Sequence, residues 1–310
     1  MSSSQYRCND PADLAAIMAI ENKLAQYNPM DDIIDYYADD AIVLDVYAPG
    51  IFRGRSEIYA GFEEGLQTLE TFTGNITDSN ILSSGNLAAA ALQVRFDVTL
   101  KNGQKVALQL RQLDAFKKVN GKWLIVQQHI SFPVDAKTGM GVLNGPLPVR
   151  GPVQWPANPL PGPAVSREQG IAEIHQFLDR GVVVPNVDAL MEYYGPTNDL
   201  IVYDMLYPPG EFRGMRETRD GFAPVMNYTA PKVEMLELVV DSDGLLAIQI
   251  DVQDITVTEQ DGSQRNFGLR QSDCLRRVGD RWYSVFEMCS VPIDPSTGKA
   301  VLESARIAGK

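Results

Sequence analysis

The stretch LDVYAPGIFRG, Leu44 to Gly54, returns later in the chain as YDMLYPPGEFRG, Tyr203 to Gly214. Each version places an aspartate at the end of an apolar run, then a tyrosine, a Pro-Gly turn and Phe-Arg-Gly. The likeness spreads outward from there. DDIIDYYADDAIVLD (Asp31 to Asp45) answers VDALMEYYGPTNDLIVYD (Val187 to Asp204). RQLDAFKKVNGKWLIVQQHIS (Arg111 to Ser131) answers RQSDCLRRVGDRWYSVFEMCS (Arg270 to Ser290). PVDAKTGMGVL (Pro133 to Leu143) answers PIDPSTGKAVL (Pro292 to Leu302). The matches keep their order and nearly their separation, which indicates duplication of a whole domain rather than a short solenoid period. Between them NGPLPVRGPVQWPANPLPGP, Asn144 to Pro163, holds seven prolines. Proline fixes φ and removes a backbone donor, so this stretch reads as a stiff, extended linker. Trp155 in its middle is expected to be pinned on a domain surface. The expected organisation is a first domain over residues 1–143, a linker over 144–165 and a second domain over 166–310.

Each half has the same order of elements. Asp10-Pro11 supplies an N-cap and a first-turn proline, and Leu14, Ile17, Met18 and Leu24 follow at helical spacing. Ser166 and Gln169 offer a capping box at the matching place. A short second helix is expected to carry Tyr36-Tyr37 or Tyr193-Tyr194. AIVLDV and LIVYDM are β-branched and read as strands, and a third helix follows Phe-Arg-Gly. The remainder of each half alternates as strands, with KNGQ and KVNGK as hairpin turns in the first. The predicted class is α+β: two cones, each a strongly curved antiparallel sheet wrapped around about three helices and open at one end around a ligand cavity.

Composition limits the chemistry. The 310-residue chain is long enough for two cores. A net charge of −13 argues against nucleic acid, which needs clustered Lys and Arg, and against anionic membranes. No apolar run reaches the roughly 18 residues of a membrane span. The start MSSSQYRCNDPADL shows no apolar leader. The three cysteines, Cys8, Cys274 and Cys289, form no CxxC, and cytoplasm is the expected compartment. The two histidines fall one per half with no HxH or HExxH, so no metal site is expected. Phosphate-binding glycine loops and GxSxG are absent from the sequence. What remains is proton transfer by carboxylate, tyrosine and histidine in an apolar cup, without a cofactor.

YYADDAIVLD…FRGRSEIYAGF early and NGKWLIVQQHIS late make each half resemble the NTF2-like superfamily, and within it the SnoaL-like and ketosteroid isomerase-like proteins. The resemblance implies the cone fold, which hosts isomerases, dehydratases, cyclases, hydrolases and binding modules. In ketosteroid isomerases the general base is an aspartate ending the strand that follows ADDA; Asp45 and Asp204 match it. A protonated aspartate late in the sheet donates to the oxyanion in those enzymes; Asp114 matches it, Asp273 less well. The oxyanion tyrosine of the first helix is replaced by Glu21 or Leu178, a departure that sets steroid isomerisation aside. SnoaL-type cyclases use an acid on the last strand, matched by Glu287, with Gln128 in its place in the first half.

The candidate catalytic residues are thus Asp204, Asp45, Glu287, Asp114 and His129, and the candidate substrate contacts Tyr47, Tyr207, Arg53, Arg213, Gln128, Asp273 and His175. Asp45 and Asp204 read either as caps of their own Pro-Gly turns or as bases whose pKa is raised by apolar walls. Arg53 and Arg213 read first as braces of the turn. Tyr47 and Tyr207 offer an aromatic wall and a phenolic donor at the cavity mouth. Strict alternation from Trp123 puts His129 with Trp123, Ile125 and Gln127 on an interface or outer face, and Gln128, Val126 and Ile130 on the cavity face, unless a bulge intervenes. His175, on the helix, reads either as a packed residue or as one looking into the second cavity. The expected function is a cofactor-free lyase or isomerase acting on a small apolar, aromatic substrate. Its sharpest form is an enzyme similar to the lyases of lignin-dimer catabolism, which convert a diarylpropane diol to a stilbene with loss of water and formaldehyde. The alternatives are a non-catalytic binding or assembly protein and a polyketide cyclase. The two halves are expected to pack as an intrachain pseudo-dimer, with further homo-oligomerisation open.

Overall fold

The computed structural model describes residues 8–307 except 27, 182–185, 196–197, 225, 227–228 and 260. Residues 1–7, where no leader is read, lie outside the described residues. The chain forms two compact units: Met1–Leu44, Phe52–Ile130 and Leu143–Leu160 in one, and Asp45–Ile51, Ser131–Val142 and Pro161–Lys310 in the other.

In the first unit, α1 (Pro11–Leu24) begins where Asp10 accepts a hydrogen bond from the Ala12 amide at 2.9 Å. Asp10→Ala is expected to lower the unfolding free energy by about 1 kcal/mol, the usual worth of an N-cap, measured by urea titration. A short α2 (Met30–Ile33) and a 3₁₀ turn (Ile34–Tyr36) lead into β1 (Tyr37–Leu44). After β2 (Ile51–Arg53) comes α3 (Gly54–Leu66), and then four long strands: β3 (Leu69–Ser83), β4 (Leu87–Leu100), β5 (Lys105–Val119) and β6 (Lys122–Ser131). The sheet order is β2-β1-β6-β5-β4-β3. Asn120 and Gly121, at φ 50° and 79°, make the β5–β6 hairpin, a turn that demands two left-handed residues. Register breaks between Leu69 and Thr71 and between Ile76 and Asp78 bend β3 against β4. Ile17 and Ile20 of α1 pack on Tyr37, Ala90, Leu92, Val94, Phe116, Trp123 and Ile125 in the hollow of this sheet.

In the second unit, β7 (Val134–Asp135) is followed by α4 (Arg167–Gly181), α5 (Val187–Met191), β8 (Ile201–Tyr203), β9 (Leu206–Tyr207), β10 (Phe212–Arg213) and α6 (Gly214–Phe222). Then come β11 (Thr229–Ser242), β12 (Leu246–Thr258), β13 (Gln264–Val278), β14 (Arg281–Ser290) and α7 (Ser304–Ile307). The sheet order β10-β8-β14-β13-β12-β11 repeats that of the first unit position by position. The predicted α+β architecture of two curved sheets around helices is therefore observed.

Four details differ from the sequence reading. The long strands are antiparallel, but β1 runs parallel to β6 and β8 parallel to β14, because helices and turns intervene before the chain returns to the sheet. Tyr37 opens a strand, drawn from the short helix by pairing opposite Ile125. Tyr194 lies beyond α5 and bridges to Ser284. At α4 the Ser166 hydroxyl accepts from the Gln169 amide at 3.1 Å, but the Gln169 side chain turns forward to Glu173, so the capping box is half made.

The compact units also cut the chain differently from the proline boundaries. The amides of Arg150 and Gly151 donate to Asp78 Oδ2 at 2.9 and 3.1 Å, and that of Val153 to Asn80 Oδ1 at 2.6 Å, so the linker is laid on β3. Trp155 in it is half-buried. Residues 45–51 and 131–142 belong to the second unit. There the two repeated phrases pair crosswise. The Val134 amide donates to Met205 O at 2.7 Å, while the Ile293 amide donates to Val46 O at 2.8 Å and the Ala48 amide to Ile293 O at 3.0 Å. Each tyrosine-Pro-Gly turn is thus held by the Pro-Val-Asp or Pro-Ile-Asp segment from the opposite half of the sequence.

Candidate active site

Inside the second unit lies a cavity of about 650 Å³. Its walls are apolar and aromatic, with Phe177, Leu178, Tyr193, Phe222, Met235 and Phe267 among them. Its polar residues come from the concave face of three neighbouring strands: Asp251 and Gln253 on β12, Gln271 and Asp273 on β13, and Ser284, Glu287 and Cys289 on β14. Tyr194 and Asp204 join them from outside these strands, and Asp135 and Arg265 also line the cavity. Alternation places residues two apart on one face, which is why QIDVQ and RQSD present amide and carboxyl side by side.

On β14, Ser284 and Glu287 both reach the cavity although they are three apart. The register explains it: Cys274 faces Phe286 but Leu275 faces Ser284, so one residue of β14 bulges out and the parity reverses. Contacts on β6 show the same reversal. Trp123 donates to Asp13 of α1 at 3.1 Å and Ile125 is in the core, yet Gln128 also points inward, to Asp114. Trp123 and Ile125 therefore share the cavity side with Gln128, not with His129 as strict alternation predicts. His129 itself is fully buried beside its strand partner Leu44, on the opposite face from Gln128.

Asp273 and Glu287 are direct cross-strand partners, which brings their Cβ atoms to about 5 Å. Asp273 accepts hydrogen bonds from Gln249, from Gln271 Nε2 at 2.8 Å and from Ser284 Oγ at 2.6 Å. Burial pushes its pKa up and these donors pull it back. Glu287 accepts from the Tyr194 hydroxyl at 2.9 Å, and its other oxygen lies 3.6 Å from Cys289 Sγ. Burial, and then the charge of Asp273, hold Glu287 well above the usual carboxylate range, while Tyr194 and Cys289 oppose the shift. Burial and Glu287 likewise push up the Tyr194 hydroxyl. Two carboxyls facing each other at this depth do not both ionise. Asp273, which accepts from three strong donors, carries the charge, and Glu287 carries the proton.

The first unit holds a related cluster with fewer acids. Tyr37 donates to Gln128 Oε1 at 2.9 Å, Gln128 Nε2 to Asp114 Oδ2 at 2.9 Å, and Gln112 Nε2 to both Asp114 Oδ2 at 2.7 Å and Glu21 Oε2 at 3.1 Å. Burial raises Asp114 to about 7 and, with Asp114 adjacent, raises Glu21 well above its usual range. Asp114 faces Ala90 and Gln112 faces Leu92, where Asp273 faces Gln249 and Gln271 faces Asp251. Ala90, Leu92, Val94 and Ile125 are packed core in the first unit. The polar side chains on the wall made by β12, and Ser284 on β14, are thus a property of the second.

The remaining expected residues are dispersed. Asp45 belongs to the second unit, not to the cluster around Asp114. Its carbonyl accepts from Arg270 Nη1 at 2.7 Å, and burial raises its carboxyl while the Val46 amide and Arg270 lower it. Asp45 does not line the cavity, and neither do Tyr47, which is 37% exposed and bridges Ile293, or Tyr207, which pairs with Asp135. Arg53 is exposed, and its amide donates to Glu57 at 2.7 Å. Arg213 Nε pairs with Glu211 at 2.5 Å and its amide donates to Glu217 at 3.1 Å, so both arginines sit in the brace of the turn. His175 is exposed on α4 and away from the cavity, because Ile174 and Phe177 occupy the inward face of that helix.

Residues 17–135 match the family described as SnoaL-like domain. The sheet of the second unit, beyond that stretch, repeats the strand order of the first. An NTF2-like protein of unknown function from Pseudomonas putida KT2440 is 21% identical over 45% of this chain and 98% of its own, with a TM-score of 0.39. A putative dehydratase of the NTF2-like family from Streptomyces avermitilis is 13% identical over 39% and 97%, with a TM-score of 0.35. A hexachlorocyclohexane dehydrochlorinase, LinA type 2, is 12% identical over 39% and 84%, with a TM-score of 0.35. Among curated proteins none matches the chain. No helix among the described residues is long and apolar enough to cross a membrane.

Sequence reasoning names Asp204, Glu287 and Asp273 as candidates, and the cavity brings these three together. It misses Tyr194 and Asp251. Tyr194 follows a helical pattern in the sequence, and only the bridge to Ser284 turns it inward. Asp251 is detectable as the carboxyl in the alternating QIDVQ, where the first half has AALQV. Among the described residues no group of three His, Cys, Asp or Glu side chains is arranged to hold a metal ion.

Proposed function

We propose that the cavity of the second unit is the site of a cofactor-independent lyase or isomerase that moves protons on a small apolar, aromatic substrate. The observation that carries this reading is the opposed pair Asp273–Glu287, with Tyr194 on Glu287, at the polar wall of an otherwise apolar cavity. A pair of acids pushed apart in protonation supplies a donor and an acceptor at one pH. Asp204, at the end of β8, is the base, and Glu287 with Tyr194 is the acid. A volume of about 650 Å³ lies within the range of about 300–1,000 Å³ that encloses a drug-sized ligand.

The sharpest form of the reading is a diarylpropane diol. The base takes the proton of the primary hydroxyl, and the bond to the hydroxymethyl carbon breaks as formaldehyde forms. The electron pair of that bond becomes the carbon–carbon double bond as the benzylic C–O bond breaks, the hydroxyl leaving as water with the proton of the acid. Incubation with such a diol is expected to release stilbene, followed by its absorbance, and formaldehyde in equal amounts. A hydroxymethyl-substituted stilbene without formaldehyde would point to simple dehydration, and an unchanged diol would end this substrate assignment.

The first unit supports a different role. Ala90, Leu92, Val94 and Ile125, which stand where the second unit has Gln249, Asp251, Gln253 and Ser284, are packed hydrophobic core, which favours a structural contribution there.

A further inference from the structure

We infer that the cavity selects an uncharged ligand bearing an oxygen acceptor, and that Asp251 is the residue that recognises that oxygen. Asp251 is 2% exposed and lines the cavity from β12. Its Oδ1 accepts from Gln253 Nε2 at 2.9 Å, and the same amide donates to Gln271 Oε1 at 3.1 Å, so the carboxyl is held in one orientation. Its Oδ2 is buried and has no protein donor or acceptor at full hydrogen-bond geometry, the Gln249 side chain being the polar group nearby. A buried carboxyl oxygen without a partner is destabilising, and the fold does not need one here. At the matching register of the first unit, opposite Gln112, stands Leu92, which packs in the core.

The charge state follows from the surroundings. Burial raises Asp251 to about 8; the Gln253 amide opposes the shift, the charge of Asp273 adds to it, and Gln249 opposes it again. At neutral pH Oδ2 therefore carries a proton and is a donor. An anionic ligand would meet the charge of Asp273 in the same cavity. Among the described residues that line it, the one cation is Arg265, an exposed side chain paired to Glu259 at 3.3 Å. A hydroxyl, ether or carbonyl oxygen satisfies the donor without that repulsion. The aromatic skeleton of the ligand rests on the proposed function, whereas the recognition of oxygen stands apart from any turnover.

The test uses binding of small aromatic probes to the full chain at pH 7, followed by probe fluorescence. 2-Naphthol and 2-methoxynaphthalene are expected to bind at least about tenfold more tightly than naphthalene, a ratio of about 1.4 kcal/mol, and 2-naphthoate more weakly than all three. Asp251→Leu, which places the Leu92 side chain at the matching position, should remove the preference for oxygen while naphthalene binds as before. Should that variant fail to fold, the methoxy probe on wild-type protein still decides, since it can only accept. Equal binding of naphthalene and methoxynaphthalene would overturn the inference, as would a preference that survives in Asp251→Leu. A preference for oxygen without turnover of the diol would uphold Asp251 and remove the diol assignment; turnover without the preference would do the reverse.

Discussion

Asp204→Asn is expected to lower turnover by about 10²–10⁴-fold, the usual contribution of a positioned acid or base, while Asp45→Asn leaves it at the wild-type rate. The two aspartates end matching apolar strands, and nothing in their local sequence chooses between them. The structure separates them. Asp204 follows the buried Ile201, Val202 and Tyr203 and lines the cavity that holds Asp273 and Glu287. Asp45 sits in a loop whose carbonyls at Asp45 and Pro49 are gathered, together with that of Ile307, by the Arg270 guanidinium. Asparagine keeps the shape and most hydrogen bonds of the turn, so loss of rate with an unchanged circular dichroism spectrum isolates proton transfer from folding. Equal losses in both variants would contradict the assignment of the cavity. No loss in either would make the aspartates turn caps and favour a binding protein.

The repeat, the strand periodicity and the turn chemistry make the cone architecture legible, because each rests on local rules: Asp10 caps α1, Asn120-Gly121 turns β5 into β6, and β-branched runs pair as strands. The candidate site is legible only where a side chain lies on a regular strand. Asp273 can be placed by alternation, whereas Ser284 and Glu287 share a face only through the bulge near Phe286, which no count of alternate residues reveals. The same reversal returns Trp123 to the core side of β6. The surroundings of Asp45 escape local rules for a tertiary reason: its turn pairs with Ile293, a residue from the other half of the sequence. His175 illustrates the weakness of a lone residue type as a signal, since the inward positions of α4 are filled by Ile174 and Phe177. Where each long strand faces its neighbour, as Asp251 faces Gln271 and Leu92 faces Gln112, the register distinguishes a polar cavity wall from a packed core more clearly than any motif.

Asp251 should make the protein less stable as pH rises from about 4 to about 8, and Asp251→Asn should remove that dependence. In the unfolded chain this carboxyl titrates near its ordinary value of 3.8, whereas in the folded protein burial holds it at about 8. Between those values the folded state binds one more proton than the unfolded state. The folded-state pKa is the raised one, so the stabilisation is fully present below the unfolded pKa and is lost as pH climbs towards the folded one. Each pH unit in the window is worth about 1.4 kcal/mol. The advantage of Asp251→Asn over wild type should therefore grow by about 3–4 kcal/mol between pH 5 and pH 8, read from urea unfolding at a series of pH values. Asp273, Glu287 and Cys289 titrate in the same cavity, but they are present in both proteins and their contributions largely cancel in the difference. The lost Oδ2 proton and the added amide shift the variant by a constant that does not depend on pH, so the slope is the readout and not the offset. Parallel curves for the two proteins would show that Asp251 titrates as a solvated carboxyl and would remove the donor on which ligand selection depends. A divergent pair would mean that the second unit gives up stability near neutral pH to keep a proton in its cavity, where the first unit has a leucine.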